Sequence, residues 1–199
     1  MKGQTQVISV LLVVGITLAL VATITPWSIS MIQKRKDAKA VDDVFNFFFL
    51  LDSKIREVAV SGGEQTLNLN VPGKLIIYPD GLVGENSNSI NFMFTSKVSN
   101  VALNDWIAFT PNTNQTATLG TDPFGVIMAK AVKKRDFMEI QYKVWYRDLI
   151  DRSNGNKYRI KITTSGNQIL ESTTGYIRIQ RGETTTSQSL TTTEIKIII

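Results

Sequence analysis

The first third of the chain carries two hydrophobic patterns, and the first of them is a long apolar run. No charged residue occurs from Gly3 to Gln33. About 20 mostly apolar residues, at about 1.5 Å rise each, suffice for a helix to cross a hydrocarbon core of about 30 Å. An Asp, Lys or Arg at mid-bilayer would cost several kcal/mol. This stretch therefore predicts a helix inserted in a bilayer, or in something equally apolar.

The second pattern is a single apolar stripe in which residues recur at alternating spacings of three and four, as on one face of a helix. The stripe residues are Val41, Val44, Phe48, Leu51, Ile55 and Val58. Ser61-Gly62-Gly63 ends the pattern because glycine readily adopts the left-handed C-cap conformation. We therefore predict one helix from about Thr5 to about Val60, bent at Pro26 and anchored at the membrane–water boundary by Trp27.

After Gly63 the periodic segments alternate with a period of two, which predicts strands. The turn residues Pro72-Gly73 predict a hairpin between the apolar runs on either side of them. The long strand Met138–Tyr146 is expected to pair with Tyr158–Ile162 across a polar loop. Closely spaced turn signals favour a β-sandwich, so the fold class is α+β, a long helix followed by an all-β head.

The end of the chain combines a polar stretch with a strongly β-prone one. Residues 182–189 predict an exposed, mobile linker, and Ile195–Ile199 predicts a closing strand. We expect this strand to pair within its own sheet, because an exposed apolar edge would promote aggregation. Donation of the strand to a neighbouring subunit is the alternative.

The distribution of charge argues against a nucleic-acid partner. The net charge is +5, but Lys2 and Lys34-Arg35-Lys36 supply four of the 22 basic residues and precede all 17 acidic ones. The remainder carries 18 − 17 = +1, which is not the basic footprint that nucleic-acid binding requires. The absence of cysteine and histidine removes most zinc, copper and iron chemistry and the usual general base. We expect no enzyme, metal or cofactor.

A cleaved secretory signal is the other interpretation of the apolar run. Such signals have apolar regions of about 7–15 residues followed by a small-x-small cleavage site. The run from Val7 to Ile24 is longer, and no good Ala-x-Ala site follows it. We therefore expect the helix to be retained.

The sequence Met1-Lys2-Gly3-Gln4-Thr5-Gln6, followed directly by the apolar helix, resembles the N-terminus of archaeal type IV pilins and archaellins. In that family a prepilin-type peptidase removes a short basic leader, typically after a glycine. The resemblance implies cleavage between Gly3 and Gln4. It implies a leader at 1–3, a helix at 4–61 that spans the membrane in its first half and is amphipathic in its second, and an extracellular β-sandwich-like head at 62–199.

The resemblance also implies a function: a structural subunit of a surface filament, used for adhesion or as an appendage, that assembles through its helices. Lys34-Arg35-Lys36 outnumber Lys2, so the positive-inside rule alone would leave the head in the cytoplasm. Long domains translocate largely regardless of charge, and the leader resembles an export signal. We therefore expect the helix in the cell membrane and the head at the cell surface.

The second candidate function is a permanently anchored surface protein, similar to archaellum stator subunits, whose head binds the S-layer or another envelope protein. A membrane-tethered enzyme is a third class for which no supporting constellation of residues is found. An intact Met1 would favour the anchor, whereas a chain beginning at Gln4 would favour the pilin-like subunit.

Three further segments have two interpretations each. Asn114-Gln115-Thr116 is an N-glycosylation sequon or simply a hydrophilic loop. The loop Asp151–Asn156 carries oxygen ligands suited to calcium, but it lacks the spacing of a calcium loop, so a strand connection explains it better. Phe45–Leu51 forms an assembly surface, packs against the sheet, or does both with different faces.

Overall fold

The computed structural model describes the backbone of residues 2–82, 84, 86–99 and 101–199, and the side chains from Val10 onward within these ranges. The chain divides into two compact units, residues 1–39 and 40–199. The described residues form one long helix followed by strands, which confirms an α+β fold with an N-terminal apolar helix. The elements are α1 Lys2–Ser61, β1 Glu64–Leu69, β2 Lys74–Tyr78, β3 Ser89–Ser96, β4 Ile107–Ala108, β5 Thr116–Thr118, β6 Gly125–Lys133, β7 Met138–Tyr146, β8 Asp148–Ile150, β9 Lys157–Thr163, a 3-10 turn Ser165–Asn167, β10 Leu170–Ser172, β11 Gly175–Ser187 and β12 Leu190–Ile198.

The strands form two six-stranded sheets within the described residues. Sheet A has the order β1-β11-β12-β9-β8-β5, and sheet B has the order β10-β2-β3-β7-β6-β4. Neighbours are antiparallel except for β12 with β9 and β5 with β8, which are parallel. Burial alternates along the long strands, as along β7, where Ile140, Tyr142, Val144 and Tyr146 are buried. This alternation is what one covered face of a sheet requires.

The second half of α1, from Ala40 to Ser61, lies in the same compact unit as the strands and supplies part of their core. All six stripe residues are buried, five of them completely. The ring of Phe48 lies 6.1 Å from that of Phe92 in β3 and 5.6 Å from that of Tyr142 in β7. The same hydrophobic cluster includes Ile179 and Ile197 of sheet A. One core therefore joins the helix stripe to both sheets.

The predicted hairpin at Pro72-Gly73 is wrong. β1 pairs with β11 in sheet A, whereas β2 pairs with β3 and β10 in sheet B. Gly73 has a φ of 147°, and a Cβ there would meet the ring of Phe92. The turn therefore carries the chain from one sheet to the other. It packs so closely on sheet B, with a positive φ, that only glycine fits at position 73.

The predicted pairing of Met138–Tyr146 with Tyr158–Ile162 is also wrong. β7 lies between β3 and β6 in sheet B, and β9 lies between β8 and β12 in sheet A. The polar loop does close a hairpin, but it joins β8 to β9. Arg147 alone separates β7 from β8, so the chain changes sheets at this residue. The alternation of apolar residues along a strand indicates which of its side chains are buried, but it does not indicate which other strand pairs with it.

Residues 182–189 are not a linker, because they form the end of β11 and the turn of a β-hairpin. β11 and β12 pair across a two-residue turn in which Gln188 has a φ of 53°. Threonines face threonines across the pair, as Thr184 faces Thr193, and β-branched residues favour this extended state. The closing strand does pair within its own sheet, between β11 and β9, with Ile195 and Ile197 buried.

Two adjacent leucines test how much the second half of α1 contributes to the core. Leu51 is fully buried and Leu50 is 47% exposed. Leu51→Ala should lower the free energy of unfolding by about 2–5 kcal/mol, because it leaves a cavity in the shared core. Leu50→Ala should change it by less than about 1 kcal/mol. Urea unfolding of the full chain in detergent micelles, followed by tryptophan fluorescence, measures both, and equal losses would contradict the described packing.

Candidate membrane and assembly helix

The first half of α1 exposes its large apolar side chains. The consecutive residues 10–14 are each 49–66% exposed. Five consecutive residues cover more than one turn of a helix, so apolar surface faces every direction around the axis. Among the described residues, α1 is the one helix long and apolar enough to cross a membrane. A surface of this kind is stable only when lipid or other apolar chains cover it.

Three threonine hydroxyls within this apolar segment bond to the backbone of the helix itself. Thr17 donates to the Val13 carbonyl at 2.8 Å. Thr25 donates to the Val21 carbonyl at 2.6 Å, and Thr23 donates to carbonyls three and four residues before it. These donors therefore have partners without water, which removes most of their cost in an apolar medium.

The two residues expected at the membrane boundary lie within the helix. α1 continues through Pro26, whose missing N–H leaves the carbonyl four residues earlier without its helical donor. The predicted bend stays a prediction. Trp27 is 66% exposed, and the exposed block Lys34-Arg35-Lys36 follows. Gly3 and Gln4 lie at the start of α1, and the side chain of Gln4 is outside the described residues.

The run Phe45–Leu51 divides between the core and the surface. Phe47 and Phe48 are buried, whereas Phe49 is 41% exposed. Phe45 bridges the two groups, because its ring lies 4.7 Å from that of Phe49 and 5.0 Å from that of Phe109 beside β4. One face of this segment is therefore packed in the core, and another face is exposed. Its use as an assembly surface stays a prediction.

A buried carboxylate lies where the second half of α1 packs on sheet B, and it was not anticipated from the sequence. Asp52 is 3% exposed, and one of its carboxylate oxygens lies 2.9 Å from Nε of Arg56. The Tyr146 hydroxyl lies beside this carboxylate, and a Cβ at Gly125 would overlap it. The signal was present in the spacing, because Asp52 follows Phe48 by four residues and therefore lies on the stripe.

Burial shifts the pKa values of two members of this group. It raises the pKa of Asp52, and the nearby charge of Arg56 opposes part of that effect. Burial, and then the Asp52 carboxylate, raise the pKa of Tyr146 well above its usual range. The Asp52 carboxylate occupies the space beside Gly125, so this position of β6 admits no side chain.

The sequon lies on a loop that a buried arginine holds. Asn114 is exposed and precedes the edge strand β5. Arg147 is only 2% exposed, and its Nη1 donates to the carbonyls of Asn112 and Asn114 at 2.6 and 3.1 Å. Its Nε donates to the Pro123 carbonyl at 3.1 Å. The loop is therefore fixed from its inner side.

The loop Asp151–Asn156 satisfies its own polar groups. One carboxylate oxygen of Asp151 accepts hydrogen bonds from the Ser153 amide at 2.9 Å and from its hydroxyl at 2.7 Å. These bonds lower the pKa of Asp151. The Asn156 amide donates to the side chain of Asn154 at 2.9 Å. Such bonds are typical of a tight strand connection, and no group of three potential metal-ligating side chains is found among the described residues.

Comparison of the chain with family models, with curated proteins and with solved structures finds no match. The function proposed below is therefore supported by the physical properties of α1 and by the resemblance of the first residues. The first half of α1 is long and apolar enough to cross a membrane, and the second half contributes to the core of the strands.

Two substitutions on α1 test whether its first half is inserted in the membrane. Leu18 is 65% exposed near the middle of the apolar run, and Val60 is 78% exposed near the end of the helix. Leu18→Arg places a charge at mid-bilayer, which costs about 2.5–3.5 kcal/mol, so the membrane-bound fraction of the chain should fall several-fold. Val60→Arg makes the same chemical change in the second unit and should leave the fraction unchanged. Quantitative fractionation of cells measures both, and no effect of Leu18→Arg would contradict insertion.

Proposed function

We propose that this chain is a structural subunit of an archaeal type IV pilus-like surface filament, serving as an adhesive or other surface appendage. The observation that carries the proposal is the division of a single helix. Val10–Ile32 is apolar on all sides and exposed, whereas Val41–Val58 is seated in the core of the strands. A subunit built in this way can exchange its lipid cover for neighbouring helices without unfolding its head.

The driving force for assembly is the apolar surface of the first half of α1. Burying a few hundred Å² of such surface contributes several kcal/mol per subunit, at about 25 cal/mol per Å². Each helix contacts neighbours through different faces, so the contacts are heterologous. Heterologous contacts that do not close into a ring produce an open helical filament. The residues from Val7 to Ile24 form the filament core in this proposal.

Processing releases the helix from the membrane in the same proposal. Lys2 and the amino terminus hold the end of the helix at the cytoplasmic surface. A prepilin-type peptidase then cuts between Gly3 and Gln4 and removes this lysine, so that Lys34 becomes the first charged side chain. The processed helix carries no side-chain charge through its apolar length and can move from lipid into a bundle of helices.

The β head remains outside the cell and presents the contact surface of the appendage. The two sheets and the second half of α1 share one core, so the head forms a single folded body on each subunit. The Asp52–Arg56 ion pair lies where α1 meets sheet B. Force applied to the head is therefore transmitted to the helix through packed side chains.

Processing and polymerisation test this function together. Mass spectrometry of the chain from the membranes of its own cells should give a mature N-terminus at Gln4. Electron microscopy of material sheared from the cell surface should show filaments that contain the chain. Gly3→Val, which removes the small residue before the cut, should block both results, and Gly15→Val, a matched change within the helix, should leave the N-terminus at Gln4.

An intact Met1 in a fully membrane-bound population, with no filaments, would contradict the filament function. It would instead favour the permanently anchored surface protein whose head binds an envelope partner.

A further inference from the structure

The sequon is the one motif of the sequence that the filament function does not use. Asn114-Gln115-Thr116 is the only Asn-x-Ser/Thr sequence in the chain that has no proline at its centre. A sequon is used only where the chain is accessible, so its surroundings matter more than its presence.

Both functional side chains of the motif are accessible. Thr116 and Ala117 are successive residues of β5, and Ala117 is 8% exposed whereas Thr116 is exposed. Because side chains alternate along an extended strand, the inward position of Ala117 directs Thr116 outward. Asn114 precedes Thr116 by two residues and is exposed as well. The amide and the hydroxyl that define the motif are therefore both available to an enzyme.

The backbone of the motif is held from the opposite side. Arg147 donates to the carbonyls of Asn112 and Asn114, and the Asn114 amide donates to the side-chain oxygen of Asn112 at 3.0 Å. At Asn114 these hydrogen bonds involve only the backbone carbonyl and the backbone N–H. Among the described hydrogen bonds, none involves the side-chain amide of Asn114. A buried guanidinium is costly unless its donors have partners, and Nε and Nη1 of Arg147 both donate to backbone carbonyls. Here it fixes the loop that displays Asn114.

We propose that Asn114 is an N-glycosylated residue on the extracellular head. The amide nitrogen Nδ2 of Asn114 attacks the anomeric carbon of a sugar carried as a phosphate ester on a polyprenol lipid, in a membrane transferase. The bond from that carbon to the phosphate oxygen breaks as the new carbon–nitrogen bond forms. The amide loses one proton, and the lipid phosphate leaves with the electron pair and takes up that proton.

This inference rests on the proposed function, because the lipid-linked donor and the transferase act outside the cytoplasm. The glycan would lie beside β5, the edge strand of sheet A. An edge strand presents unpaired backbone groups, and a bulky hydrophilic chain at this position would cover them.

The test uses the full chain produced in archaeal cells that glycosylate their own surface proteins. Trypsin releases residues 98–130 as one peptide, because no lysine or arginine lies between Lys97 and Lys130. Mass spectrometry should find this peptide heavier by a set of sugar residues and locate them on Asn114. Asn114→Gln and Thr116→Ala should each abolish the added mass, whereas Thr116→Ser, which restores the hydroxyl, should keep it. Thr113→Ala, a matched change outside the motif, should also keep it.

A second measurement separates failure of this inference from failure of the proposed function. The chain has no cysteine, so Thr185→Cys provides one thiol on the exposed hairpin for a membrane-impermeant maleimide applied to whole cells. A labelled head with an unmodified peptide would overturn glycosylation and leave the extracellular location in place. A head that is labelled only after lysis would overturn both. Added mass that persists in Asn114→Gln would place the modification elsewhere and overturn the assignment.

Discussion

The structure depends on one constraint, which is that the apolar surface of the first half of α1 must be covered. Side chains from Val10 to Ile32 are exposed around the whole helix. Exposed apolar surface of this length is unfavourable in water at about 25 cal/mol per Å². Lipid and neighbouring helices are both suitable covers, because TM helix packing relies on close contact rather than on exclusion of water. Membrane insertion and filament assembly are therefore two solutions to the same physical requirement.

The second half of the same helix meets the opposite requirement. Its apolar residues form one stripe, and that stripe is covered by the two sheets, with Phe48 among the rings of β3 and β7. The buried Asp52 carboxylate is paired with the half-exposed Arg56, and an unpaired carboxylate at that depth would be costly. One helix thus carries two hydrophobic patterns, and the change from charge-free to charged sequence at Lys34 marks where the first pattern ends.

Local sequence patterns predicted the positions of the helix and of most strands better than they predicted which strands pair. The stripe from Val41 to Val58 anticipated burial because helical periodicity is a property of neighbouring residues. The pairings at Pro72-Gly73 and after β7 were wrong, because strand order depends on contacts far apart in the chain. The threonines of β11 and β12 were interpreted as a linker because composition suggested polarity, whereas cross-strand pairing made them a hairpin. Asp52 was missed although its spacing places it on the stripe, because a charged residue at such a position is usually expected at the surface. Arg147 was missed because a single charged residue between two strands has no distinctive spacing.

The most direct test of the account is the behaviour of the purified full chain when detergent is removed. Sedimentation velocity should show one subunit per micelle above the critical micelle concentration. After removal of detergent the chain should sediment as large assemblies, while circular dichroism still shows the β signal of the head. A chain that retained residues 1–33 and stayed monomeric and dissolved without detergent would show that α1 needs no apolar cover, and it would contradict both insertion and assembly.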